Sequence, residues 1–269
     1  MTHPQLLLSI DLLAFYRQAS QQTFTVVDVE TTGSRASSSR ITELAVVQAT
    51  LADGIQHQQS TLINPEAVIP PNIVSITGIT QAMVADAPTA AVALPQFQPW
   101  LQVGLLTAHN LDFDYGFLQA EYERLGVSFM RPTAEHLCTV QLARLMLPHL
   151  RSRSLPDLVQ HFSFPVNTSH RAEADAIACW LLAERLLTDI LQLPDAEILQ
   201  RFAQQWLSVT DAAHLLGCST AEGRSHLAAA GITGRTVKRY KRMTELYRRG
   251  DVERVIAQRS DGQQLSLFH

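Results

Sequence analysis

The residues of this chain best suited to chemistry are acidic side chains and histidines in three widely separated segments, 28–33, 109–114 and 170–175. The first segment ends an apolar run that is typical of a buried strand, so Asp28 and Glu30 should project from one face. Two adjacent anions repel unless cations lie between them. Carboxylate oxygens select hard ions such as Mg2+ or Mn2+, and two such ions about 3.5 to 4 Å apart can activate a water and stabilise the leaving oxygen of a phosphate ester.

The order of the three segments resembles the DEDDh (DnaQ-like) family of 3'→5' exonucleases, typified by the proofreading subunit of bacterial replicative polymerase. The segments read D-V-E-T-T-G, H-N-L-D-F-D and H-R-A-E-A-D, and the similarity covers roughly residues 22–190. The third carboxylate of the family is the Asp that follows Phe113, so Asp112 falls on a variable position. The resemblance implies that four carboxylates hold two Mg2+ or Mn2+ ions, with a histidine as general base. These catalytic residues are Asp28, Glu30, Asp114, Asp175 and His170.

Further residues beside these motifs are weaker candidates for contacting the terminal nucleotide: Thr31, Thr32, His109 and Asn110. Thr77 stands where many relatives carry histidine, so that loop departs from the family's pattern. The implied substrates are single-stranded or frayed DNA 3' ends, from which 5'-monophosphates are released. Two alternatives stay open. One is an exoribonuclease of the same family, because these motifs do not read the 2'-hydroxyl, and the other is a clamp- or DNA-binding adaptor with a vestigial nuclease centre.

The spacing of the third motif predicts where its helix begins. Residues five apart on one helix point about 140° apart, so His170 and Asp175 cannot share a face if both are helical. His170 is therefore expected on a loop, with capping residues at 167–169 and a helical run rich in Ala and Leu at 173–187. From there a neutral imidazole could move towards the metals as a base, while Asp175 stays on the first turn as a ligand.

Composition indicates a globular chain. The 269 residues are 46% hydrophobic, which is enough to bury a sizeable core. The sequence has no run of about 18 apolar residues and no basic segment before an apolar one at its start, so neither a membrane span nor a signal peptide is expected, and the expected location is cytoplasmic. Cys138, Cys179 and Cys218 have no paired spacing and lie among apolar residues, so they are expected to be core thiols.

The order of the predicted elements is that of an α/β domain, expected to cover residues 1–193. Strands are predicted at 24–30, 41–51, 57–63 and 105–109, and helices at 6–19, near 73 and 81, and at 90–101, 114–125, 139–147, 155–161 and 173–187. Strands followed by helices favour a mixed sheet flanked by helices, which matches the ribonuclease H-like fold that the resemblance implies.

Charge is distributed unevenly along the chain. Through Trp206, Lys and Arg number 11 and Asp and Glu 19, a net charge of −8; from Leu207 onward they number 10 and 6, a net charge of +4, and the two sum to −4. A basic appendage can supply phosphate contacts that an acidic domain cannot. The predicted division is a linker helix over 194–206, a small, mostly helical domain over 207–258 and a flexible tail over 259–269.

The small domain resembles a helix-turn-helix of the MerR or excisionase type. A capped helix and Gly turn within 209–219, a second helix at 220–230 and the end of a wing at 247–253 carry the resemblance. Gly223 departs from the pattern, since an apolar residue normally packs there. DNA binding is expected at a cationic cluster, with docking of a protein as the alternative. The cluster consists of Lys238, Arg239, Lys241 and Arg242.

The end of the chain carries the motif Gln264, Leu265, Ser266, Leu267 and Phe268. It is similar at every position to the pentapeptide by which bacterial proteins dock onto the replication sliding clamp. Apolar side chains on a flexible terminus would be exposed without a partner pocket, and the alternative is that they fold back onto their own domain. The expected partners are DNA 3' ends and the sliding clamp, with a DNA polymerase as a further candidate and no membrane.

Overall fold

The computed structural model describes residues 7–166, 170–239 and 242–266, with side chains for all of these except 239, 242 and 260–266. No helix within these ranges combines the length and apolar character needed to cross a membrane. The chain divides into two compact units. The larger unit holds residues 17–142 and 151–189, and the smaller unit holds 143–150, the described residues from 190 onward and those up to Tyr16.

The larger unit is built on a five-stranded mixed sheet flanked by helices, which confirms the predicted fold class. Its elements, including helices that continue into the smaller unit, are α1 (Ser9–Ala19), β1 (Phe24–Thr31), β2 (Ile41–Thr50), β3 (Gly54–Leu62), α2 (Pro71–Thr77), α3 (Gln81–Val84), α4 (Ala90–Leu101), β4 (Leu105–Ala108), α5 (Leu111–Arg124), β5 (His136–Cys138), α6 (Thr139–Met146), α7 (Leu155–Phe162) and α8 (Ala172–Gln192). The strand order is β3-β2-β1-β4-β5, with β1, β2 and β3 antiparallel and β4 and β5 parallel to β1.

The central strand β1 has two different faces. Val27 and Val29 belong to a core that also contains Phe97 of α4 and Phe117 of α5, so these helices cover one face of the sheet. Side chains alternate between the two faces of a strand, and the apolar run of β1 places hydrophobic residues on both faces, so both are buried.

The other face of β1 carries the acidic pair. The ring of Phe24 lies 5.4 Å from the ring of Trp180 in α8, measured between centroids, so even-numbered positions of β1 face α8. Asp28 and Glu30 follow on the same face. A strand buried on both sides thus ends in two carboxylates that point towards the helix of the third motif.

The short strand β5 was not predicted from the sequence. It has three residues, which is too few for periodicity to separate a strand from a loop. Several helix ends also differ: α1 begins at Ser9 rather than at residue 6, α5 begins at Leu111 rather than at residue 114, and α8 continues to Gln192 rather than ending at residue 187. Cys138, Cys179 and Cys218 are free thiols, buried or partly buried, as expected.

The smaller unit combines helices with a three-stranded antiparallel sheet of order β6-β8-β7. Its further elements are α9 (Asp195–Ala203), β6 (Trp206–Ser208), α10 (Val209–Leu215), α11 (Thr220–Ala229), β7 (Arg235–Arg239), β8 (Arg242–Arg248) and α12 (Arg249–Ser266). The buried guanidinium of Arg249 donates to the carbonyl of Leu7 at 2.8 Å, and Ser9 donates to Glu253 at 2.8 Å. These contacts group the start of α1 with the smaller unit. The predicted boundary at residue 193 had assigned α1 to the exonuclease domain. Contacts between residues so far apart in the sequence leave no local pattern from which they could be predicted.

Gly223 has a packing role in the α10–α11 pair. A Cβ built there would lie 3.0 Å from Cβ of Ala213, closer than such atoms normally approach. Glycine therefore lets the two helices come close together at this point. Each helix begins with a capping box, Ser208 with Asp211 and Ser219 with Glu222.

The end of the chain differs from the predicted flexible tail. Helix α12 continues to Ser266, so the backbone of 259–266 is helical. Gly262 is the one glycine in this stretch and there is no proline, so nothing in it forces a helix to stop. Leu267 and Phe268 of the predicted clamp motif lie outside the described residues.

Candidate active site

Three of the predicted carboxylates meet at the end of β1. Asp28 and Glu30 from the strand and Asp175 from the first turn of α8 each offer an oxygen, and these oxygens all lie within 4.8 Å of one another. Asp114, in the first turn of α5, lies beside them, because its Oδ1 accepts a hydrogen bond from the backbone N–H of Val29 at 3.1 Å. The three distant segments therefore converge, as their order along the chain predicted.

Burial and mutual repulsion raise the pKa of every member of this cluster. Burial, and then the charges of Asp114 and Asp175, hold the pKa of Asp28 well above its usual range. Burial and Asp175 raise the pKa of Glu30 to about 8. Burial also raises the pKa of Asp114 to about 8, although the hydrogen bond from Val29 lowers it in part. Burial raises the pKa of Asp175 as well. The nearby positive charges of the protein therefore do not offset the effects of burial and repulsion on these carboxylates.

The donor set fits hard divalent cations. All of its ligand atoms are carboxylate oxygens, the type that Mg2+ and Mn2+ prefer, and the cluster of Asp28, Glu30 and Asp175 contains no thiolate or imidazole that would favour a softer metal. A cation between the carboxylates would also lower their pKa values, because its charge favours the ionised form against burial and mutual repulsion.

His170 precedes α8, as the spacing predicts. Its φ is 48°, in the left-handed region that non-glycine residues seldom occupy, and the residue is exposed. The charge of His170 acts to lower the pKa of Asp175, which places the imidazole close to the cluster. Such a backbone conformation is held by its surroundings and is frequent at functional sites. The predicted capping residues 167–169 lie outside the described residues.

A fifth carboxylate, Glu43, supports this region and was not among the predicted site residues. It lies on β2 directly opposite Glu30, is 2% exposed and accepts from Arg171 Nη2 at 2.6 Å and Nε at 3.0 Å. Its second oxygen also accepts from the backbone N–H of Ala172 at 3.1 Å, at the start of α8. Glu43 thus joins the strand of the acidic pair to the loop of His170. A charged residue within the apolar run of β2 was the signal for it in the sequence.

Thr31 and Thr32, predicted to contact the terminal nucleotide, are buried and use their hydroxyl groups within the protein. The hydroxyl of Thr31 donates to the carbonyl of Gly33 at 2.7 Å, and that of Thr32 accepts from the N–H of Arg40 at 3.0 Å. A Cβ at Gly33 would lie 2.7 Å from the Ser39 hydroxyl, so a larger residue would require the Ser39 side chain to move. The T-T-G part of the motif therefore shapes the connection between β1 and β2.

His109, another predicted nucleotide contact, is engaged at both ring nitrogens. Nδ1 lies 2.9 Å from the Thr139 hydroxyl and Nε2 lies 2.9 Å from the carbonyl of Arg153. The ring therefore fastens the loop before α7, and its contact with the terminal nucleotide stays a prediction. Asn110 remains a candidate, because it is exposed, has φ 89° and makes no side-chain hydrogen bond that caps α5. Thr77 is buried, with its hydroxyl bonded to the carbonyl of Ile73 and the N–H of Ile79.

The predicted cationic cluster belongs to the smaller unit. Lys238 is exposed on β7, and Arg239 pairs with Arg242 at the end of the β7–β8 hairpin. Lys241 lies outside the described residues. The same small sheet also brings together Trp206, Arg235 and Arg248. The sequence did not single out these residues, because their proximity depends on the pairing of β6, β7 and β8.

The fold and the cluster together define a class of protein. A mixed five-stranded sheet that presents carboxylates from its central strand and two flanking helices is a ribonuclease H-like nuclease domain. The family model described as Exonuclease (RNase_T) matches residues 25–182, more than half of the chain. The chain belongs to this exonuclease family.

Relatives are similar to this chain over the same region. It is 36% identical over 175 residues to a DNA polymerase III PolC-type protein of Oceanobacillus iheyensis, covering 64% of this chain and 12% of that one. It is 35% identical over 219 residues to the 3'-5' exonuclease DinG of Bacillus subtilis, covering 80% and 23%. The matching segment thus spans less than a quarter of either relative. E. coli exonuclease I in complex with a dT13 oligonucleotide shares the fold, with a TM-score of 0.56 and 18% identity over 61% of this chain and 41% of that one.

Proposed function

We propose that this protein is a metal-dependent exonuclease that removes nucleotides from single-stranded or frayed DNA 3' ends and releases 5'-monophosphates. The observation that carries the proposal is the convergence of Asp28, Glu30 and Asp175 within 4.8 Å, with Asp114 beside them. A relative named as a 3'-5' exonuclease and a structure titled as a complex with an oligonucleotide support the direction and the substrate.

The residues divide the chemistry between them. Asp28, Glu30, Asp114 and Asp175 would hold two Mg2+ or Mn2+ ions, which would neutralise the carboxylates and supply Lewis-acid stabilisation of the phosphate oxygens. His170, from its exposed loop, takes a proton from the attacking water as a neutral base. The oxygen of that water forms a bond to phosphorus as the bond from phosphorus to the 3' oxygen of the preceding nucleotide breaks. The 3' oxygen takes a proton from solvent water and leaves as a hydroxyl, and His170 loses its proton to solvent.

A comparison of DNA and RNA tests the substrate. End-labelled single strands of matched sequence are digested with Mg2+ and with a chelator, and products are resolved by length. We expect stepwise shortening of DNA from the 3' end that requires the metal, and its loss in Asp114→Asn. Faster digestion of RNA would instead favour the exoribonuclease of the same family. Absence of metal-dependent cleavage of either polymer would support the adaptor.

We also propose that the segment from Gln264 to Phe268 docks on a bacterial sliding clamp. Docking would keep the enzyme near DNA that is being replicated or repaired. A DNA polymerase is proposed as a further partner. The similarity of this motif to the clamp-binding pentapeptide supports it. The PolC-type relative, whose name places it in a DNA polymerase, is consistent with a role in replication.

A further inference from the structure

The small sheet of the smaller unit has one face in the core of the unit, while its other face carries the buried Leu246 and several polar side chains. Leu207 and Tyr247 pair across β6 and β8 and are buried in the core of the unit. Trp206 and Arg248 also pair and, being one residue away along each strand, project from the opposite face. Arg235 of β7 lies on this face too, with its guanidinium carbon 5.9 Å from the centroid of the Trp206 ring. We call Trp206, Arg235 and Arg248 the cationic sheet face.

The cationic sheet face combines an aromatic ring with two guanidinium groups. The guanidinium carbon of Arg248 lies 3.9 Å above the Trp206 ring, a stacking distance, and Arg248 also donates to the carbonyl of Gln204. Arg235 is exposed, and Trp206 and Arg248 are half-buried. Guanidinium groups bind phosphate through several N–H donors, and both an indole ring and a guanidinium plane can stack on a nucleobase.

The acidic residue of the hairpin lies on the other face. Glu245 is the one Asp or Glu in 235–248, and it pairs with Thr236, one position out of phase with Arg235. Its carboxylate forms an ion pair with Arg224 of α11 at 2.6 Å. The positive charge of the cationic sheet face is therefore not opposed by an acid of its own hairpin.

Helix α11, which a helix-turn-helix would place in a DNA groove, offers less to a nucleic acid. Its one cationic residue among Lys and Arg is Arg224, which Glu245 holds. Glu222 is exposed in its first turn, where it closes the capping box with Ser219. An acid and a neutralised arginine favour neither phosphate contact nor the reading of guanine.

We propose that the cationic sheet face binds single-stranded DNA without reading its sequence. Arg235 and Arg248 contact successive phosphates, while an unpaired base stacks on the Trp206–Arg248 pair. Bases of a duplex are already stacked on each other, so the same face should bind duplex more weakly. The proposal rests on the proposed function only in its choice of DNA. DNA binding is measured without metal, so that a loss of binding can be told apart from a loss of cleavage.

The test is the binding of a fluorescein-labelled oligothymidylate to the full-length protein in a chelator, followed by anisotropy at several salt concentrations. For single strands the slope of log affinity against log salt is about 0.7 per phosphate contact, so Arg235→Ala should lower its magnitude by about that amount. Trp206→Ala should weaken binding roughly 5- to 150-fold, the value of one stacked base. Trp206→Phe, which keeps a ring, should recover part of this loss.

Arg224→Ala is the matched control, because it removes one arginine from the same unit but from the opposite face. It should leave the affinity and the salt slope close to those of the wild type. An effect of Arg224→Ala equal to that of Arg235→Ala would overturn the proposal, as would tighter binding of a matched blunt duplex than of the single strand. Arg235 is exposed, so its replacement should preserve the thermal midpoint and keeps the test valid if Trp206→Ala fails to fold.

Discussion

Asp28 shows how the energetics of one side chain follow from its place in the sheet. A carboxylate on a central strand is desolvated, and Asp114, Asp175 and Glu30 add repulsion to that cost. Such a position is unfavourable in the metal-free protein and becomes favourable when cations bind. The arrangement therefore trades stability of the apo protein for affinity towards metal.

We expect Asp28→Asn to stabilise the metal-free protein and to abolish metal-dependent cleavage. The raised pKa values mean that the folded protein binds more protons than the unfolded chain, so the free energy of unfolding should fall as pH rises from about 4.5 to about 8. Each kcal/mol lost lowers the thermal midpoint by roughly 2–4 °C in a chain of this size.

Thermal melts of the wild type and Asp28→Asn across this pH range, with a chelator and with Mg2+, measure the effect. The wild-type midpoint should fall with pH in the chelator, and this fall should be smaller in Asp28→Asn and with Mg2+. A midpoint that is independent of pH in the wild type would show that burial and repulsion do not raise the pKa values of these carboxylates.

Glu43 is expected to act as a positioning residue for the loop of His170. Glu43→Gln keeps the size of the side chain but weakens its charge-assisted hydrogen bonds to Arg171 and Ala172, each worth about 1.5 to 3 kcal/mol. We expect kcat to fall on the order of 10-fold, with little change in KM, because the DNA contacts are not touched.

Glu121→Gln is the control for Glu43→Gln. Glu121 is 1% exposed and pairs with Arg40 at 2.8 Å, so its loss disturbs a comparable buried ion pair in the same unit. Steady-state kinetics and thermal melts of both variants separate positioning from stability. Equal losses of kcat in the two variants would mean that Glu43 matters only for the fold.

Helix α12 overlaps the predicted clamp-binding motif. Its last turns include Gln264, Leu265 and Ser266, whereas a clamp-docking peptide binds in an extended form. Docking would therefore require the end of the helix to unwind, and the ends of helices open more readily than their middles.

We expect replacement of Leu267 and Phe268 together by Ala to weaken clamp binding roughly 30- to 5,000-fold, from about 2 to 5 kcal/mol of lost apolar burial. Cleavage of a short oligonucleotide should not change. Titration of labelled clamp from the source organism measures both proteins, with Gln258→Ala, at an exposed position earlier in α12, as the control. Equal affinities, or no binding by the wild type, would indicate that the segment does not dock there.

The composition of the two units determines which truncations remove whole parts of the molecule. The smaller unit takes its core from residues near both ends of the chain, including Tyr16, whose ring lies 6.4 Å from that of Phe202 in α9. All five predicted catalytic residues lie in the larger unit.

Truncation after Trp206 should leave metal-dependent cleavage but lower the thermal midpoint, because α1 loses its contacts from Arg249 and Glu253. It should also weaken binding of single-stranded DNA at low salt and make its salt dependence shallower, since net charge +4 is removed. Melting, cleavage and salt titration of the full-length and truncated chains measure the three effects. Unchanged salt dependence would exclude the removed part from DNA binding.

The family, the fold class and the members of the acidic cluster could be predicted from local patterns. Examples are the apolar run before Asp28 and the five-residue spacing that excludes His170 from the helix of Asp175. The sequence also placed most strands and helices, whose periodicity is a property of neighbouring residues.

The contacts between distant side chains could not be predicted in this way. His109 is engaged at both nitrogens by residues 30 and 44 positions away, Glu43 reaches Arg171 across 128 positions, and Trp206 meets Arg248 through strand pairing. Such contacts depend on where the whole chain places distant elements, and the free energy that favours them comes from the shared core. A local pattern therefore carries no record of them.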